Sequence, residues 1–138
     1  MKHYEIIDHT ADIGLRARGK DLKELFAHAA YGMFEIMADL KNVQAKKTIP
    51  VNLKAPNVEE LFLSWLGELL YLYNSKKLIL NSFTIDTINE TSLSARAGGE
   101  TLNLKKHRLK MEIKAATFHN LLVRKQGRGW QGEVIFDV

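Results

Sequence analysis

The sequence contains no cysteine among its 138 residues. This absence excludes disulfides, thiolate nucleophiles and zinc sites built on cysteine. It also has no run that approaches the roughly 18 consecutive apolar residues of a membrane-spanning helix. Residues 1–7 pass directly into a strand-like pattern and have no signal-peptide core. We therefore expect a cytoplasmic protein without a membrane anchor.

Proline is also rare, since only Pro50 and Pro56 occur, and no Gly/Ser-rich linker, repeat or low-complexity tract is present. The composition, with 46% hydrophobic and 26% charged residues, is typical of a globular protein that can bury a core. These features predict one domain that spans residues 1–138.

The net charge of +4 is distributed unevenly. Residues 1–100 carry 12 Lys/Arg and 13 Asp/Glu, a balance of −1, whereas residues 101–138 carry 8 and 3, a balance of +5. A basic C-terminal quarter can steer a protein toward an acidic partner or a phosphate backbone. A solvated sheet edge kept soluble by lysine explains the same excess equally well.

Hydrophobic periodicity predicts two amphipathic helices. Asp21, with a glutamate three residues later, resembles a capping box and opens a helix over about residues 21–39. Asn57 opens the second helix, which ends near residues 74–75. We interpret the apolar faces of both helices as core rather than as a cofactor cradle.

The rest of the chain alternates with a period of two, which is typical of half-buried strands. Residues 4–17 indicate one or two strands around a polar corner, with Ile6, Ile13 and Leu15 facing inward. Further strands are predicted at residues 46–55 (an edge strand, because it contains Pro50), 83–87, 92–97, 108–114, 119–125 and 133–138. Turns are expected at residues 89–90, 98–99 and 127–129. This order predicts an α+β fold, a mostly antiparallel or mixed β-sheet with two amphipathic α-helices.

The polar corner at residues 8–12, with sequence DHTAD, is the first candidate site. Hard cations such as Ca²⁺ and Mg²⁺ need several oxygen ligands, and Asp8 and Asp12 supply carboxylates. Five residues cannot enclose an ion alone. A turn in which Asp8 or Thr10 accepts hydrogen bonds from nearby backbone amides is the simpler interpretation of the spacing.

The last residues, VIFDV at 134–138, form an apolar strand without a polar tail. If Val138 ends the natural chain, its α-carboxylate lies one residue from the side chain of Asp137. Two anionic groups at the end of a buried strand repel each other unless a cation neutralises them. A metal shared with the polar corner would satisfy both segments, provided that they meet.

Other candidate residues have equally plausible structural roles. Lys114 shares strand parity with Arg108 and Lys110, which fits a solvated strand face. His107 and His119 could act as ligands or bases, although such histidines are usually structural or exposed. We assign no role to His28, which lies off the main apolar stripe of the first helix. The sequence contains no phosphate-binding loop and no HExxH motif.

Three segments together resemble the archease family. The motifs are DHTADIG at residues 8–14, EIKAATFH at residues 112–119, and Trp130 followed by VIFDV at residues 134–138. The resemblance spans essentially the whole chain. It implies an α+β fold in which the first and last strands lie close together. It also implies a divalent metal site, with Ca²⁺ expected and Mg²⁺ or Mn²⁺ as alternatives, formed by Asp12, Asp137 and Val138.

The resemblance further implies a function in tRNA splicing. Archeases are non-catalytic activators of the GTP-dependent 3′-phosphate RNA ligase of the RtcB type. They promote guanylylation of the ligase and its repeated turnover. The implied partner is therefore this ligase, with RNA reached indirectly through it, and Lys114 matches a lysine that supports the partner.

Two other functions remain open on the residues alone. The first is a stand-alone metal-dependent phosphohydrolase that uses Asp12, Asp137 and His9. The second is an RNA-binding module that uses the basic stretch from Lys105 to Arg128. Aromatic residues are sparse within that stretch, which argues mildly against the second alternative.

Overall fold

A computed structural model describes residues 3–8 and 12–138. Within this part of the chain, seven strands and two helices follow the predicted α+β order. The strands are β1 (Tyr4–Asp8), β2 (Asp12–Gly19), β3 (Lys47–Lys54), β4 (Leu78–Ile88), β5 (Ser92–Thr101), β6 (Ala115–Gln126) and β7 (Gly129–Asp137), and the helices are α1 (Leu22–Met37) and α2 (Val58–Asn74).

The strands form two separate antiparallel sheets. Together with the two helices, they confirm the predicted α+β fold class. The larger sheet has the order β1-β2-β7-β6, and the smaller one has the order β3-β5-β4. The strand that contains Pro50 lies at an edge of the smaller sheet, as predicted, where a missing N–H is tolerated. In the larger sheet, β2 and β7 are neighbours, so segments from the two ends of the chain lie side by side.

Both helices begin at the predicted capping residues. The Asp21 side chain accepts a 2.9 Å hydrogen bond from the backbone N–H of Glu24. Asn57 accepts an equivalent 2.9 Å bond from the N–H of Glu60. Each bond satisfies a backbone donor that has no partner within its helix, and caps of this kind contribute about 1 kcal/mol.

The helices supply most of the aromatic core. Helix α1 contacts strands of both sheets, and α2 packs mainly on β6. Trp65 is fully buried, and its indole N–H donates a 2.9 Å hydrogen bond to the carbonyl of Phe26. The rings of Phe26 and Phe62 meet edge to face at 5.2 Å. The interpretation of both apolar faces as core is therefore confirmed.

Neither helix in the described residues has the length and apolar character needed to cross a bilayer.

One inward position in the first strands was predicted wrongly. Ile13 and Leu15 are buried, but 49% of Ile6 is exposed. Ile6 pairs with Leu15 in the register of β1 and β2. Because β1 is an edge strand of the larger sheet, Ile6 is only partly buried even though it lies on the same face as Leu15.

The turn predicted at residues 98–99 is also wrong, since both glycines lie inside β5. Gly99 pairs with Leu80, and Gly98 pairs with Ser82, so Asn81 is the extra residue of a β-bulge in β4. A Cβ atom on Gly99 would overlap the carbonyl oxygen of Ile79. Glycine is therefore needed here for close approach of two backbones rather than for a turn.

Residues 108–114 do not form the predicted strand; the structure has only an isolated bridge between Ala38 and Leu109. The backbone of this segment bonds instead to the end of α1, because the N–H of Lys110 donates to the carbonyl of Met37 at 2.8 Å. Leu109 and Met111 remain 43% and 42% exposed, whereas Ile113 is buried. The parity argument for Lys114 therefore does not apply.

The predicted final hairpin is present, with longer strands than expected. Strand β6 begins at Ala115, and β7 begins at Gly129, so only Gly127 and Arg128 form the turn. Gly127 has a φ of 60°, a left-handed conformation that glycine adopts without steric cost.

Candidate functional site

Two predicted metal ligands lie directly opposite each other at one end of the larger sheet. Asp12 is the first residue of β2, Asp137 is the last residue of β7, and the two are register partners. We call these two residues the acid pair. The next pair along, Ile13 and Phe136, is buried in the core. Because successive side chains alternate between the two faces, the acid pair lies on the face away from that core pair.

Lys114 lies beside the acid pair. Its backbone N–H donates a 2.7 Å hydrogen bond to the carbonyl of Asp137, and the following residue, Ala115, is the register partner of Asp137. The Lys114 residue is exposed. Val138 follows the acid pair and packs against the edge of the core. Residues from three distant segments of the chain are thus brought together at one end of the sheet.

The geometry of the acid pair concentrates negative charge. Directly opposed residues of antiparallel strands have Cβ atoms roughly 4.5–5.5 Å apart, and like charges in that position destabilise the sheet. The arginine further along the same face, Arg16, is bound by Glu133 at 2.8 Å and lies 3.6 Å from Glu5. The positive charge of Arg16 is therefore already shared by two other carboxylates.

The donor atoms of the acid pair match a hard cation in type. Carboxylate oxygens are the ligands that Ca²⁺ and Mg²⁺ prefer. In residues 3–8 and 12–138, no three His, Asp or Glu side chains are grouped closely enough to hold a metal ion. His9 and the other central residues of the polar corner lie outside the described residues, as does the side chain of Asp8. The described chain thus offers two carboxylates that fit the ion, and further oxygen donors have to come from elsewhere.

His107, a candidate ligand or base, belongs to a structural network instead. It is 4% exposed, and its Nδ1 accepts a 2.9 Å hydrogen bond from the backbone N–H of Asn103. Its Nε2 lies 3.1 Å from the Glu100 carboxylate and donates to it in the tautomer that this arrangement requires. His119, the other candidate, is exposed on β6.

Glu100 is the centre of this buried network, which sequence reasoning missed. Lys106 donates to both carboxylate oxygens at 3.0 and 2.9 Å, and the backbone N–H of Gln44 donates at 2.8 Å. The hydrogen bond from Lys106, followed by that from Gln44, lowers the pKa of Glu100 to about 2. Because these bonds hold the loops at Gln44 and at residues 102–107 against β5, the network is structural.

A second group of residues was missed because its members come from three separate segments: the residue before β1, helix α1 and strand β7. The rings of His3 and His28 stack with their centroids 4.2 Å apart, although the sequence assigned His28 no role. Trp130 and Tyr31 line cavities next to this stacked pair. This cluster lies at the opposite end of the larger sheet from the acid pair, since Gly19 pairs with Trp130 there. No periodicity along one element could have revealed it.

Two antiparallel sheets, two capped helices and an acid pair at adjoining strand ends define a small α+β protein with a candidate cation-binding end. The model of the Archease protein family matches residues 4–138. The chain belongs to the archease family.

Relatives of similar length support this assignment. The chain is 38% identical to the archease of Methanosarcina barkeri over 99% of its length and 97% of that protein. It is 36% identical to the archease of Thermococcus kodakarensis, with both chains covered completely.

Two solved structures share the fold. A solution structure of a Methanobacterium thermoautotrophicum protein, 32% identical, superposes with a TM-score of 0.83 over 100% of both chains. A Thermotoga maritima crystal structure, described as an archease and possible chaperone, gives a TM-score of 0.62 at 21% identity, covering 97% of this chain and 96% of that one. At that identity, the second structure supports the fold alone.

Proposed function

We propose that this protein is a metal-binding, non-catalytic activator of the GTP-dependent 3′-phosphate RNA ligase of the RtcB type in tRNA splicing. One observation carries the proposal: the register of β2 and β7 sets Asp12 opposite Asp137. Lys114 is attached beside them through the carbonyl of Asp137. Membership of the archease family supports the same function. Asp12, Lys114 and Asp137, one residue from each of the three motifs, lie together at this end of the sheet.

The acid pair and Val138 would hold the cation, for which Ca²⁺ is the first choice and Mg²⁺ or Mn²⁺ are alternatives. All of these donors are oxygens, in keeping with a hard ion. When bound, a divalent ion supplies positive charge that can orient and neutralise phosphate groups of a partner's substrate. The exposed Lys114 adds a cation at the same end of the molecule.

Membership of the archease family favours a helper over a stand-alone hydrolase. A hydrolase needs a positioned acid or base within hydrogen-bond reach of its substrate. His107, one candidate base, is engaged by Glu100, and His9 lies outside the described residues. On the family assignment, we place the catalytic groups on the partner ligase.

The test is multiple-turnover RNA ligation by the cognate ligase, with and without this protein. We expect wild type to raise turnover, and Asp12→Asn or Asp137→Asn to reduce the stimulation by about tenfold or more, the scale of effect seen even for groups that only support a metal ligand. Lys114→Ala should weaken stimulation without affecting metal binding.

Matched controls separate these effects from general changes of charge. Asp86→Asn removes a carboxylate that pairs with Arg96 on the smaller sheet, and Lys54→Ala removes an exposed lysine there. Both controls should stimulate the ligase as wild type does. Full stimulation by Asp137→Asn would contradict the proposal. Hydrolysis of phosphoesters by the purified protein alone would support the hydrolase instead.

A further inference from the structure

The end of the larger sheet opposite the acid pair carries two adjoining cavities. Strand β2 runs from Asp12 to Gly19, so the two ends are roughly 24 Å apart at the usual rise per residue. The cavities have volumes of about 270 and 280 Å³. Both are lined by His3 and His28, whose stacked rings form a wall between them. We call this pair the histidine wall.

The first cavity is lined mainly by rings. Besides the histidine wall, it is bordered by Tyr4, Tyr31 and Phe83. Its volume is below the roughly 300–1,000 Å³ of pockets that hold drug-sized ligands, so it fits a single flat group. Aromatic walls recognise flat rings by stacking, and every nucleobase offers such a face.

The second cavity, on the other side of the histidine wall, is basic. Arg18, Lys20 and Trp130 line it together with Glu24. The ammonium of Lys125 lies 5.8 Å from the centre of the Trp130 ring. Arg128 is exposed at the adjacent turn of the final hairpin.

The charges of this end remain positive after internal pairing. Glu5 is bound by Arg18 at 2.7 Å, and Glu24 lies 3.6 Å from Lys20. Among the described residues, Lys125 and Arg128 form no ion pair with a carboxylate. These two cations are therefore available to a phosphate backbone.

The histidine wall is held rigidly by the backbone next to it. Nδ1 of His28 donates a 2.6 Å hydrogen bond to the carbonyl of Arg18. The N–H of Arg18 in turn donates at 2.9 Å to the carbonyl of His3. The first bond orients the His28 ring and the second fixes the backbone of His3 before any ligand arrives, which lowers the entropy lost on binding.

We propose that these two cavities form a binding site for single-stranded RNA. One base stacks in the aromatic cavity, and the adjoining phosphates lie over the basic cavity and Lys125. An acidic peptide would match the charge, but its carboxylate side chains offer no flat ring for the aromatic cavity. This site goes beyond the activator function, because it shares no residue with the acid pair.

The test is binding of a fluorescent eight-nucleotide single-stranded RNA to the full chain, followed by anisotropy at several salt concentrations. We expect His28→Ala and Trp130→Ala each to weaken binding by about five-fold or more, as loss of a stacking platform does. Lys125→Ala should reduce the slope of log affinity against log salt by about 0.7. The variant His28→Phe keeps a ring and should retain affinity.

Matched controls are His119→Ala and Lys54→Ala, which remove an exposed histidine and an exposed lysine elsewhere. Both should bind RNA as wild type does, and so should Asp137→Asn. Thermal unfolding of each variant shows whether it is folded. Failure of wild type to bind overturns the proposal. It is also overturned if His28→Phe loses as much affinity as His28→Ala, if a mononucleotide or polyglutamate competes as well as the RNA, or if duplex RNA binds more tightly.

Discussion

At the scale of single residues, the buried carboxylate of Glu100 accepts hydrogen bonds from several donors. Its carboxylate is 8% exposed and receives bonds from Lys106, His107 and the backbone of Gln44. A buried carboxylate is tolerated only when such donors satisfy it. Glu100 therefore holds two loops against β5, and this attachment is strongest when its carboxylate is ionised.

Stability should depend on the ionisation of Glu100. Its folded pKa of about 2 lies below the ordinary value of 4.5, so its contribution is fully present above pH 4.5. It is lost as the pH falls from 4.5 toward 2. We expect Glu100→Gln to be less stable than wild type at pH 6 and to lose less stability between pH 6 and pH 3. Urea unfolding at both pH values measures this difference.

Two neighbouring lysines provide a second test of this prediction and its control. Lys106→Met removes the strongest donor to Glu100 and should reduce the dependence of stability on pH. Lys105→Met removes an exposed lysine whose backbone N–H bonds to Asn103. This variant should keep the wild-type pH profile. Identical profiles for all three variants and wild type would rule out Glu100 as the titrating group.

The candidate site could be predicted from the sequence only in part. Asp12, Asp137 and Lys114 were found through motifs, and the structure brings them together. Periodicity alone could not do so, because a slip of one residue would set Asp137 opposite Ile13 and change the face of every later side chain. His28 was missed for a related reason: its partner, His3, lies on another segment.

At the scale of elements, prediction succeeded where local bonds decide the structure. Both helix starts depend on a side chain and a backbone N–H three residues apart, at Asp21 and Asn57. Prediction failed at residues 108–114, where apolar and polar residues alternate as in a strand but the backbone forms hydrogen bonds to the end of α1. Tertiary partners of the backbone, unlike caps, are not encoded in local spacing.

Gly99, which lies in β5, and Gly67, which lies in α2, should respond oppositely to alanine. A Cβ at Gly99 would overlap the carbonyl of Ile79, which is backbone and cannot move freely. We expect Gly99→Ala to lower the free energy of unfolding by about 1–3 kcal/mol. Gly67 lies in α2 with nothing within 4 Å of its added Cβ, so Gly67→Ala should raise it by about 0.5–1 kcal/mol. Urea unfolding tests both, and equal effects would contradict this account of Gly99.

At the scale of the whole molecule, β2 and β7 connect two chemically different ends. The acid pair lies at one end, and the histidine wall with its basic neighbours lies at the other. The core between them is continuous and buried. Sites separated by more than about 10 Å without shared partners usually contribute independently to stability. Changes at one end should therefore leave the properties of the other end intact.

Because the two ends are separate, cation binding can be tested by comparing the stabilities of wild type and Asp137→Asn without and with Ca²⁺. In a chelator, Asp137→Asn should be as stable as wild type or up to about 1 kcal/mol more stable, because it removes a like charge opposite Asp12. With Ca²⁺ at about a hundred times its dissociation constant, the free energy of unfolding of wild type should rise by about 2.7 kcal/mol. Wild type should then be more stable than Asp137→Asn. His28→Ala should gain as much as wild type. Differential scanning fluorimetry in chelator and in Ca²⁺ measures all three proteins, and an equal gain by Asp137→Asn would place the cation elsewhere.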